Sequence, residues 1–146
     1  LFEGAYKERD YEHEEKLASL LEEKWACTMH RQHSLAQFDF IAHRNGVPVS
    51  FVEIRKRRKE MMTYPTVIIS MTKLIAAKYQ TDITGLPCFF VVEWSDKTAY
   101  VDLECHKTFS LSGNNWKRRH NEYGPQTNIE LLGNIDINQF KVLKFN

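Results

Sequence analysis

Residues 37–59 read QFDFIAHRNGVPVSFVEIRKRRK. Two runs rich in β-branched and aromatic residues, 37–44 and 49–55, flank the dipeptide Asn45-Gly46. Asn-Gly favours the positive φ angles of a tight turn, so the stretch predicts an antiparallel hairpin. Where the turn closes decides which acids meet. A strict two-residue loop at Asn45-Gly46 places Asp39 opposite Val52, on the other face from Glu53, because facing residues share a side of the sheet. A three-residue loop through Val47, with Gly46 left-handed, or a bulge in one strand, places Asp39 opposite Glu53 instead. The sequence leaves both registers open.

Upstream, from about residue 10 to residue 27, Leu17, Leu20, Leu21 and Trp25 recur at helical spacing among good helix formers, which predicts a helix. Glu14 falls on the arc of Leu17, Leu21 and Trp25, whereas Glu15, Glu22 and Glu23 lie off it. Two readings of Glu14 stand: a carboxylate favoured near a helix N-terminus, where solvent is close, or an acid aimed at a site. Downstream, Tyr64-Pro65 reads as a helix start, with Val67, Ile68, Met71, Leu74 and Ile75 as one helical face to Tyr79 or Gln80. Gly85-Leu86-Pro87 ends it. Residues 88–94 suit a strand buried on both faces, and Ser95-Asp96-Lys97 turns the chain back into a strand over 98–103. Residues 104–146 are polar and asparagine-rich, with weaker strand patterns at 129–132 and 140–145. Helix, hairpin, helix, hairpin predicts an α/β layered architecture, and 146 residues suit one domain spanning 1–146.

Composition removes several function classes. Hydrophobic residues make up 42% and charged residues 27%, ordinary globular values that exclude a disordered or fibrous chain. No apolar run approaches the roughly 18–20 residues of a bilayer crossing, so a soluble protein without a membrane partner is expected. Cys27, Cys88 and Cys105 are odd in number and lack C-x-x-C spacing, which predicts reduced thiols and a cytoplasmic location. None of the six histidines, His13, His30, His33, His43, His106 and His120, forms a zinc motif. Nucleophile-elbow, phosphate-loop and dinucleotide fingerprints are absent too. Net charge is only +1, but its distribution is uneven. Eight acids fall in residues 1–23, whereas 55–59 are consecutive cations and Lys117, Arg118 and Arg119 form a second basic cluster. Such segregation lets a polyanion dock on one side of a near-neutral protein. Trp94, Tyr100 and Trp116 read as core and sheet filling before base-stacking platforms.

The chemistry concentrates in the hairpin. Glu53 follows Asp39 by fourteen positions, with Ile54, Arg55 and Lys56 directly after it. Period-2 geometry sends Glu53 and Arg55 out of the same strand face. Two carboxylates and a backbone carbonyl, here that of Ile54, are hard oxygen ligands suited to Mg2+ (or Mn2+). Such an ion lowers the pKa of a water and neutralises phosphate charge, while a neighbouring cation stabilises transition-state oxygens. The competing reading of Glu53 and Arg55 is a cross-strand salt bridge worth little energy.

Asp39, then Glu53-Ile54-Arg55 at the end of the next strand, followed by a helix, resembles the PD-(D/E)XK nuclease superfamily. Glu14 (or Glu15) in the first helix and Arg31-x-x-Ser34 are similar to the pattern of archaeal Holliday-junction resolvases. Tyr64, Ser70 and Lys73, with the strand at 87–94, are similar to small nuclease-like proteins of bacteriophages. The resemblance covers about residues 10–105, leaving 106–146 as a C-terminal extension. It implies a restriction-endonuclease-like core, a central mixed β-sheet flanked by helices in the order α-β-β-β-α-β. It also implies a metal-dependent endonuclease acting on DNA, phage-encoded and working in a host cell, with a homodimer by likeness to the resolvases. Asp39, Glu53 and the Ile54 carbonyl would hold the ion, Glu14 would support its water, and Arg55, with Lys73, would contact the reacting phosphate. Arg31, Ser34, Arg57, Arg58, Lys59 and Tyr64 would bind flanking nucleic acid. One departure stands out: the superfamily expects lysine two positions after the glutamate, and this chain has Arg55, a planar, permanently charged fork. That favours an alternative, a catalytically impaired DNA-binding or assembly module. A substitute cation from the following helix would be Lys78 by helical phase or Lys73 by the spacing from Tyr64.

Overall fold

Leu17, Ala18 and Leu21 are all buried, and the helix that carries them, α1, spans Phe2–Trp25 in the computed structural model. The structure describes residues 2–103, 110–115 and 129–145. After α1 come three strands, β1 (Thr28–Arg31), β2 (Phe40–Arg44) and β3 (Val47–Lys56). Then follow β4 (Thr66–Ser70), α2 (Met71–Thr84), β5 (Cys88–Glu93), β6 (Thr98–Asp102), β7 (Ser110–Asn115), β8 (Ile129–Asp136) and β9 (Lys141–Leu143). A six-stranded sheet runs β1-β2-β3-β5-β6-β9, and β4-β8-β7 form a second sheet. In the larger sheet β3 and β5 are parallel and the other neighbours antiparallel. The α-β-β-β-α-β order is present as α1-β1-β2-β3-α2-β5 around a mixed sheet, with β4 inserted before α2. The residue pattern at 28–31 gives no strand; a third strand before α2 comes only with the order that the resemblance implies.

The hairpin register has a physical origin. Asn45 and Gly46 have φ of 53° and 76°, the left-handed pair of a two-residue turn. Arg44 faces Val47 and His43 faces Pro48, but Ala42 faces Ser50, which makes Val49 an extra residue in β3. This bulge shifts the pairing so that Phe40 faces Val52. One step further the ladder has ended, and the Asp39 side chain reaches the Ile54 amide, next to Glu53.

The two faces of the larger sheet bury different partners. Leu17, Ala18 and Leu21 of α1 pack with Phe40, Ala42, Val52, Ile54 and Val91. The opposite face carries Phe90, Val92, Ala99 and Val101, covered by Leu74 and Ala77 of α2 and by Val67, Ile69 and Ile135 of the second sheet. Each fully buried aliphatic side chain contributes on the order of 1.5–3 kcal/mol. Along β3, Val52 and Ile54 therefore face α1, while Phe51 faces the α2 side. Strand alternation puts Glu53 on that side too.

The predicted helix start at Tyr64-Pro65 is wrong. Thr66–Ser70 is β4, with Val67 and Ile69 buried and Ile68 exposed, and α2 begins only at Met71. The β-branched run Val67-Ile68-Ile69 suits a strand, and β8, some sixty residues later, supplies its partner. Ser70 caps α2 by accepting from the Thr72 amide, and Gly85 ends it at φ 74°. The weak pattern at 129–132 belongs to a strand reaching Asp136, and that at 140–145 shortens to Lys141–Leu143. Leu132, Ile135, Ile137 and Phe140 are buried, so this C-terminal stretch is part of the core. No helix among the described residues is long and apolar enough to cross a membrane. Cys105, His106, Trp116, Lys117, Arg118, Arg119 and His120 lie outside the described residues.

Candidate metal centre

β3 outlasts its neighbour. Pairing with β2 stops at Phe40↔Val52, whereas pairing with β5 continues to Lys56. Beyond Val52 the β2 side of β3 is open. In a strand, one residue's N–H and C=O point to the same side, and Ile54 presents both to this gap. Asp39 fills it: its Oδ2 accepts the Ile54 amide at 2.9 Å. The Ile54 carbonyl accepts from Arg55 Nη1 at 3.1 Å. The same guanidinium reaches Glu53 Oε2 through Nη2 at 2.6 Å and lies 4.0 Å from Asp39 Oδ2 through Nη1. The three oxygen donors expected to hold an ion thus all lie within 4.0 Å of one guanidinium, and as hard oxygens they fit a divalent ion in type. Among the described residues no three His, Cys, Asp or Glu side chains group closely enough to hold a metal alone, so the carbonyl and water must complete any shell.

Glu53 is only 2% exposed. Burial pushes its pKa up to about 7, helped by the Asp39 charge and opposed by Arg55 and Lys73. Desolvation wins although two cations attend the carboxylate. Lys73, in the first turn of α2, places Nζ 3.4 Å from Glu53 Oε2, donates to the Gln37 carbonyl and sits 5.3 Å over the Phe38 ring. Lys78 instead pairs with Asp82 at the surface. With β4 removed from the helix, the buried stripe of α2 centres on Leu74 and Ala77. The two lysines flank that stripe on opposite sides, each about 70° away, so phase alone gave Lys78 no advantage. Gln37 and Phe38 were not foreseen, since a backbone carbonyl and a core aromatic carry no motif signal.

Glu14 lies in the middle of α1, not in its first turn, because the helix begins at Phe2. Burial raises its pKa against the Arg31 hydrogen bond, and the Asp39 charge adds to the rise. Arg31 bonds Glu14 at 2.8 Å and Glu15 at 2.7 Å, with its guanidinium 4.6 Å from each of the Tyr11 and Phe40 ring centres. A phosphate at Arg31 would have to compete with both acids. Ser34 is exposed in the loop before β2. Arg57, Arg58, Lys59 and Tyr64 line one cavity of about 310 Å³ with Met61, Pro65 and the buried Trp94. Tyr100 packs edge-on against Trp25 and Phe89.

The sequence model of the family described as "Phage putative PDDEXK endonuclease" matches residues 4–143. The chain belongs to that family. No curated protein matches it. Among solved structures it is similar to Hjc, a Holliday junction resolvase from the archaeal hyperthermophile Archaeoglobus fulgidus, with 11% identity and a TM-score of 0.48 over 81% of this chain and 78% of that one. The matched span includes Asp39, Glu53 and Arg55.

Glu53 gives the metal-free protein a defined pH response. Its folded pKa, about 7, lies above the ordinary 4.5. Between those values the folded state holds a proton that the unfolded state has lost, so stability falls as pH rises and levels off above about 7. The expected loss is on the order of 3 kcal/mol at about 1.36 kcal/mol per unit. Urea melts in chelator, comparing wild type with Glu53→Gln, should show this fall only in wild type; parallel pH profiles would refute the buried-acid assignment.

Proposed function

We propose that the protein is a metal-dependent endonuclease that hydrolyses phosphodiester bonds of DNA. The observation that carries this reading is the convergence of Asp39, Glu53 and the Ile54 carbonyl on one cation position. A divalent ion, Mg2+ or Mn2+, held there would supply an acidified water and neutralise phosphate charge. Asp39, Glu53 and the Ile54 carbonyl would hold that ion. Glu14 orients the attacking water by accepting its hydrogen bond. Lys73, fixed by the Gln37 carbonyl, presents a compact positive charge toward the scissile phosphate, and Arg55 contacts a second phosphate oxygen.

The cavity beside Arg57, Arg58, Lys59 and Tyr64 supports a track for flanking DNA. It begins two residues beyond Arg55 on β3 and combines cations with apolar and aromatic walls, the pairing that holds phosphates and stacks bases. A homodimer is also part of this reading. Ile75, Tyr79 and Ile83, spaced four apart along α2, are each 63% exposed, a contiguous apolar stripe suited to burial against a second copy.

A second reading, a DNA-binding module without turnover, is favoured by the ion pairs that tie Arg55 to the motif acids. Incubation with linear and branched DNA in Mg2+ or Mn2+ separates the two. Nuclease function requires cleavage that chelator stops and that Asp39→Ala or Glu53→Ala lowers by at least about 10²–10³-fold. Salt-sensitive DNA binding with no product in any metal would leave the binding module.

For the flanking track, replacing Arg57, Arg58 and Lys59 with glutamine should weaken DNA binding equally across sequences. Each lost phosphate contact should flatten the log K against log salt slope by about 0.9; an unchanged slope places DNA elsewhere. For the dimer, sedimentation of Tyr79→Asp/Ile83→Asp should give a monomer where wild type gives a dimer; a monomeric wild type would remove this part of the proposal.

A further inference from the structure

The geometry points to Arg55 as the resident counter-ion of the metal centre: its guanidinium and a divalent ion compete for the same oxygens, so ion capture requires Arg55 to swing out. This rests on the metal-dependent reading above and adds to it a molecular gate. One guanidinium contacts Glu53 Oε2 at 2.6 Å and the Ile54 carbonyl at 3.1 Å, and lies 4.0 Å from Asp39 Oδ2. An ion bonded to those oxygens at roughly 2.0–2.1 Å needs the volume the guanidinium fills. Arginine suits this role where lysine would not, because its planar fork spans several acceptors and never loses its charge.

The exit is open as well. Arg55 is 43% exposed, whereas Lys73, the other cation on Glu53, is 19% exposed and held by the Gln37 carbonyl and the Phe38 ring. When Arg55 leaves, Lys73 stays, and Glu53 is not left unpaired. A guanidinium released toward solvent needs a new anion, and a phosphate of bound DNA supplies one. Ion and DNA therefore bind cooperatively, each raising the affinity of the other by the same factor.

The test is Mn2+ binding, read by the electron spin resonance signal of free Mn2+, on wild type, Arg55→Gln and Asp39→Ala. Binding with DNA present uses a duplex carrying non-cleavable linkages. Arg55→Gln should bind Mn2+ at least about tenfold tighter than wild type, and Asp39→Ala should lose binding. DNA should tighten Mn2+ binding by a larger factor in wild type than in Arg55→Gln, and an equal factor in both overturns the gate. Equal or weaker Mn2+ affinity in a folded Arg55→Gln overturns the gate while leaving the metal centre intact. Absence of Mn2+ binding in wild type and Arg55→Gln alike, with and without DNA, defeats the metal-dependent reading itself. If Arg55→Gln does not fold, Arg55→Lys, which keeps the charge but cannot span the donors, should still bind tighter than wild type, and failure to do so overturns the proposal equally.

Discussion

The candidate site depends on β2 and β3 parting company at a particular residue. Within a sheet, strand amides and carbonyls are consumed by neighbours, and a carbonyl so consumed is a poor ligand. Here β2 stops one step short, and the Ile54 amide and carbonyl face an open gap. The Asp39 carboxylate closes the amide half of that gap at 2.9 Å and is fixed in direction by doing so. The carbonyl half remains available to a cation. The side chain of Ile54, meanwhile, is buried on the α1 face, which holds the strand end rigid. One residue thus anchors the core and offers a ligand to the site.

Glu53 shows what this arrangement costs. A carboxylate buried to 2% exposure is unfavourable even between two cations, as its pKa near 7 records. Nothing in the packing of the sheet calls for a charge there; an apolar side chain would satisfy the α2 face more cheaply. Buried acids with displaced pKa values concentrate where a protein does chemistry, and this one stands beside a second acid and a carbonyl left outside the β2–β3 ladder. The second sheet contributes indirectly. By covering the α2 side through Val67, Ile69 and Ile135, it allows α2 to start where Lys73 reaches Glu53.

Much of the fold is legible in the sequence. The hairpin and the buried strand β5 follow from patterns that local physics enforces, whereas Glu14, Asp39 and Glu53 stand out as a set only through the family resemblance. The register does not follow from such patterns, because Val49 resembles any other strand residue and a bulge is fixed by how both strands twist and pack. The strand β4 was hidden because 67–75 satisfies a helical period in its apolar residues and a twofold period in its first three. Only the pairing with β8 distinguishes them, and that contact spans some sixty residues. Lys73 was reachable only through spacing resembling related proteins, since its partner Glu53 lies on another element.

The exchange of lysine for arginine in the motif becomes intelligible once both cations are considered together. In the proposed mechanism a single lysine would have two tasks, to balance the buried acid at rest and to meet the phosphate during reaction. Here those tasks would fall to two side chains with opposite physical properties. Lys73 is compact, poorly exposed and fixed by a carbonyl and a ring, so its charge stays where it is whatever binds. Arg55 is long, exposed and multiply donating, so it can hold the oxygens together at rest and release them at low steric cost. A lysine at position 55 would have to serve both states with one point charge. In the proposed gate the fork and the fixed ammonium would separate keeping the site assembled from opening it, a separation that the placing of Lys73 on α2 and Arg55 on the free end of β3 allows.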